Sequence, residues 1–84
     1  MEALKELRKN NKFSQEEMAR TLNISLRAYQ LKEKGESELK LSELIILADK
    51  FNMNLTDFIN RIVWSILKFK IKYVKYFIKN SIHL

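Results

Sequence analysis

Ser14 and Glu17 stand three residues apart at the head of the run SQEEMARTLNISLRAYQLKEKG, residues 14–35, and that spacing fixes where a helix must start. A serine hydroxyl at the N-cap accepts from the third helical N–H, and a glutamate there bonds back to the cap, so the helix begins at Gln15. Met18, Ala19 and Leu22 recur at helical spacing and form its apolar face. Asn23 tolerates the left-handed conformation that ends a helix, and Ser25 caps the next one. Gly35 closes that second helix after Lys32 and Lys34, whose positive charges suit a C-terminal turn. The run therefore folds as two short helices joined by a tight turn.

Ahead of it, Ala3, Leu4 and Leu7 give a first helix its apolar stripe, with Glu2, Lys5, Glu6 and Lys9 facing water. Asn10, Asn11 and Lys12 turn the chain, and Phe13 occupies the staple position before the cap. After a polar loop, GESELK at 35–40, the residues Leu41, Leu44, Ile45, Leu47, Ala48 and Phe51 mark a strongly apolar fourth helix. Asn54 and Asp57 repeat the capping-box spacing and open a helix through Leu55, Phe58 and Ile59. With no proline, one glycine and no alternating apolar pattern before residue 68, the chain is expected to be all-α. Its 84 residues make one modest core.

Residues 3 to 59 of the 84 resemble the Cro/cI-type helix-turn-helix family, the phage-repressor-like DNA-binding domains of five helices. The motifs that carry the resemblance are LKELR at 4–8, FSQEEMA at 13–19, NIS at 23–25, KEKG at 32–35 and LSELIILADKFNMNLTDF at 41–58, in the family's order and spacing. One departure is Lys32, where most members carry an aromatic or aliphatic residue; it stands beside Glu33 and is placed to compete for it. The KEKG form resembles a subgroup common in prophages and mobile elements. The family resemblance implies a double-stranded DNA partner, with the second helix abutting the backbone and the third entering the major groove.

By that resemblance Gln15 contacts a phosphate, its plainer reading being a place in the capping turn alone, while Ser14 and Ser25, set beside the DNA, spend their hydroxyls on capping. The third helix presents Leu26, Arg27, Gln30 and Leu31 outward and turns Tyr29 inward; Leu31 reads equally as core. The Arg27 guanidinium matches guanine O6 and N7, Gln30 matches adenine N6 and N7, and Leu26 suits a thymine methyl. A solvated charge or a phosphate contact is the plainer reading of Arg27. Lys34 and Lys40 flank the following loop as phosphate partners. Arg8 and Glu33 are, by the resemblance, an ion pair joining the first helix to the end of the third.

The net charge of +6 says little about this reading head. Residues 1–59 hold ten Lys and Arg against ten Asp and Glu, whereas residues 60–84 hold six basic residues and no acid. The sequence thus divides into a domain at 1–59 and a basic amphipathic extension at 60–84, expected as an additional C-terminal helix. Ile62, Ile66, Phe69 and Tyr73 lie along one seam of it, the pattern of a homodimer interface spanning residues 60–80. Three other readings stay open: a helix lying on an anionic membrane, an antitoxin-like module binding a protein partner, and a tail packed back on its own domain. The stretch FKIKYVKYFIK also alternates, so a strand over 69–78 competes with the helix. Lysines recur too often for a membrane span.

Catalysis finds no constellation. The single histidine, His83, lies at the chain end, no metal-ligand spacing occurs, and there is no glycine-rich phosphate loop, so neither enzyme nor cofactor is expected. The start, MEALKELRKN, does not read as a signal peptide, and the absence of cysteine fits a cytoplasmic protein.

Overall fold

A computed structural model of the protein describes residues 2–68. These form five helices: α1 (Glu2–Asn10), α2 (Gln15–Leu22), α3 (Leu26–Lys34), α4 (Leu41–Lys50) and α5 (Leu55–Lys68), with no strand among the described residues. The residues of the helix–strand alternative, 69–78, lie outside them, as do Phe69 and Tyr73 of the expected seam.

With one glycine and no proline, the chain makes its corners another way. The first four helices end on a left-handed residue: Lys12 (φ 60), Asn23 (φ 56), Gly35 (φ 82) and Asn52 (φ 55). At each corner two backbone N–H groups fold back onto the last turn. Lys12 and Phe13 donate to Lys9 O and Arg8 O, Asn23 and Ile24 to Arg20 O and Ala19 O, Gly35 and Glu36 to Lys32 O and Leu31 O, and Asn52 and Met53 to Asp49 O and Ala48 O. This paired closure satisfies carbonyls that a helix end otherwise leaves to water.

The starts are capped from side chains. Ser14 Oγ accepts from Glu17 N–H and Ser25 Oγ from Ala28 N–H, both at 3.1 Å, each cap contributing about 1 kcal/mol. Glu43 Oε1 accepts from Lys40 N–H at 2.8 Å, which caps α4. Asn54 Oδ1 takes the N–H of Thr56 at 2.8 Å, one residue earlier than the Asn54–Asp57 spacing predicts.

The core is built from Leu4 and Leu7 of α1, Met18, Ala19 and Leu22 of α2, Tyr29 of α3, Leu47 and Ala48 of α4, and Phe58 and Ile62 of α5. Phe51 bridges Phe13 and Phe58, with ring centroids 6.1 and 5.9 Å apart, and Lys50 Nζ sits 4.5 Å from the centre of the Phe13 ring. These rings tie the α1–α2 corner to the α4–α5 corner.

One expectation is corrected. α5 runs unbroken through residues 59 and 60, and Ile62 is 5% exposed, so the core extends past residue 59 and Ile62 belongs to it rather than to a subunit interface. The fourth helix buries only part of its apolar surface. Leu47 and Ala48 lie in the core with α2 and α5 packed against α4, whereas Leu41 (64%), Ile45 (50%) and Ile46 (41%) are exposed.

Candidate nucleic-acid interface

α3 has two unlike faces. Its inner face consists of Tyr29, Lys32 and Glu33, all buried, and two of these three are charged. Burying a charge is tolerable only when it is paired and hydrogen-bonded. Arg8 of α1 meets Glu33 with its whole fork: Nε donates to Oε2 at 2.9 Å and Nη2 to Oε1 at 3.0 Å, while Nη1 donates to Phe13 O at 3.0 Å. Tyr29 Oη also donates to Glu33 Oε2. Burial alone would raise the Glu33 carboxyl, but the hydrogen bonds from Arg8 and Tyr29 outweigh it and hold it below the ordinary value. The same contacts raise Arg8 through its bond to Glu33, and desolvation followed by the bond to Glu33 pushes the Tyr29 phenol up.

Lys32 does not compete for Glu33. It turns the other way, donating to Glu43 Oε1 at 3.1 Å and to Glu38 O at 2.9 Å, and so ties the end of α3 to the loop and to α4. Burial opposes ionisation of Glu43, yet the Lys40 N–H and Lys32 lower its pKa overall. An ion pair thus fills the position where the family resemblance leads one to expect an aromatic or aliphatic side chain. Its partner lies eleven residues away, a separation with no local periodicity to reveal it.

The outer face carries the expected reading residues. Leu26 is 37% exposed and Arg27 is exposed, both in the first turn of α3 beside the exposed cap Ser25. Gln30 and Leu31 are half-buried, one turn further on. Gln15 is half-buried at the head of α2, next to the half-buried cap Ser14. Lys34 is exposed in the last turn of α3, and Lys40 is exposed before α4. Gln15, Gln30 and Lys34 line one open hollow of about 620 Å³ together with Glu2, Lys5, Glu33 and Glu36, whereas Lys40 lies apart from it.

A chain of side-chain amides crosses this hollow. Gln15 Nε2 donates to Glu33 Oε1 at 3.3 Å, and Gln30 Nε2 donates to Gln15 Oε1 at 3.2 Å. The sequence placed Gln15 and Gln30 separately, on different helices and with different tasks; their contact required the helix crossing. Among the described residues no cluster of potential metal ligands occurs, and no helix is long and apolar enough to cross a membrane.

The helix-turn-helix family model matches residues 4–58, which run from within α1 through α4 to the first turn of α5. Neither a curated protein nor a solved structure matches the chain. The match covers more than half of the chain, and the chain belongs to the Cro/cI-type helix-turn-helix family of DNA-binding regulators.

Proposed function

We propose that this regulator is a small sequence-specific repressor of prophage or mobile-element type that binds paired half-sites as a dimer. The observation that carries the reading is the division of α3: Tyr29, Lys32 and Glu33 hold it from within, leaving Leu26 and Arg27 free at the end that enters the groove first. Arg27 reads guanine, Leu26 meets a thymine methyl, and Gln30 meets adenine, while Gln15, Lys34 and Lys40 contact phosphates. Ser14 and Ser25 accept from backbone N–H groups yet keep their hydroxyl protons for a phosphate oxygen.

A dimer is supported by apolar surface exposed among the described residues. Val63 (42%) and Trp64 (65%) on α5 join Leu41 and Ile45 on α4 as exposed large side chains. Linking two short reading helices raises affinity through effective concentration. Selection of bound duplexes from a random pool, followed by sizing of the complex, tests the reading. A motif of two half-sites bound by two chains is expected. A single half-site bound by one chain removes the dimer, and no enrichment at all removes sequence-specific reading.

A further inference from the structure

Resting on the reading of α3 as the groove-entering helix, we propose that Glu33 and Gln15 are positioning residues that restrict Gln30 to adenine and make it reject guanine. The argument is one of donor counting along the amide chain. Glu33 faces Arg8 and Tyr29 as an ionised acceptor and has no proton to give, so the group that Gln15 turns toward it must be the NH2. The Gln15 carbonyl oxygen then faces Gln30, which answers it with one of its two N–H groups. Gln30 is left with its Oε1 and a single free N–H. Adenine shows a donor at N6 and an acceptor at N7, which that pair satisfies; guanine shows acceptors at both O6 and N7 and needs two N–H groups. A glutamine released from the chain can turn both of its N–H groups to guanine. The carboxylate inside the domain thereby sets which base is read outside it.

The test uses the full chain and competition binding on the selected site with each base in turn at every position. Gln30→Ala locates the base pair that Gln30 reads, and adenine is expected there, preferred over guanine by about 5- to 150-fold, the range of a bidentate contact. Gln15→Leu should bring that ratio close to one while preferences at the other positions stand. Gln15→Glu sets a second carboxylate against Glu33 with no proton between them, so it should turn away from the chain and lose the adenine preference as Gln15→Leu does. Should Gln15→Leu fail to fold, Gln15→Ala gives the same comparison. An unchanged ratio in the Leu or Ala variant overturns the proposal, as does guanine at the Gln30 position or an equal loss at every position. A wild-type protein with no base preference anywhere overturns the groove reading itself, a result visible before any variant is made.

Discussion

Removing either half of the Arg8–Glu33 pair leaves a buried charge without its partner, so Arg8→Met or Glu33→Gln should each lower stability by about 3–5 kcal/mol. The double variant should lose less than the two singles together, and urea melts of the four proteins read the coupling directly; zero coupling would refute a cooperative pair. The pH dependence has a definite sign. Glu33 and Glu43 bind protons more weakly folded than unfolded, so their contribution is present above the ordinary value of 4.5 and is lost as the pH falls through their lower folded values. Tyr29 holds its proton more tightly when folded, so stability also falls as the pH climbs past its ordinary value of 10.0. Melts of Glu33→Gln from neutral to acid pH should show a flatter acid limb than wild type. On the outer face, Arg27→Ala should cost roughly 1–3 kcal/mol on the preferred duplex and relax selection at one base pair. An equal loss on random duplexes would identify Arg27 as a phosphate contact instead.

Among the helices, the corners are where sequence and conformation agree least. A left-handed residue other than glycine or asparagine carries a steric cost, and Lys12 is the one corner residue outside that pair. Lys12→Gly should therefore stabilise the protein by about 1 kcal/mol, after the entropy that glycine loses on folding, whereas Lys12→Ala should give no gain. Calorimetry of the two variants separates the effects. The helix starts at Ser14 and Ser25 and the ends at Asn23 and Gly35 were legible because capping is local: donor and acceptor lie within five residues. The face of α3 was legible for the same reason, its period placing Tyr29 inward. What the sequence hid depends on which helices touch. Leu41 and Ile45 carry the apolar pattern of α4 yet stand in solvent, since a periodic stripe shows that a face is apolar and not how much of it a neighbour covers. Lys32–Glu43 and the Gln15–Gln30 contact were invisible for a related reason, being long-range meetings of ordinary surface residue types.

At the scale of the whole chain, α5 belongs to two structures at once. Its first turns fill the core through Phe58 and Ile62, and its exposed Val63 and Trp64 lead into the basic segment beyond. Truncation after Asn60 removes Ile62 and should destabilise the fold by about 2–5 kcal/mol, the loss expected for an emptied core position. Truncation after Lys68 should leave a folded protein with weakened self-association and operator binding, measured by light scattering. Trp64 emission in the intact chain should shift to shorter wavelength on association, and an intact chain that stays monomeric on and off DNA would remove the dimer from consideration. The buried charges beneath α3 have one more consequence. Apolar contacts have no preferred direction, so a helix resting on oil alone can roll about its axis at little cost. Neighbouring side chains are set about 100° apart around a helix, and a small roll already changes which of them meets a base edge. Arg8 grips α3 from one side and Glu43 from the other, both by directional bonds. They act as a keyway, and on the proposed reading the angle at which α3 meets its text is set inside the domain before any DNA arrives.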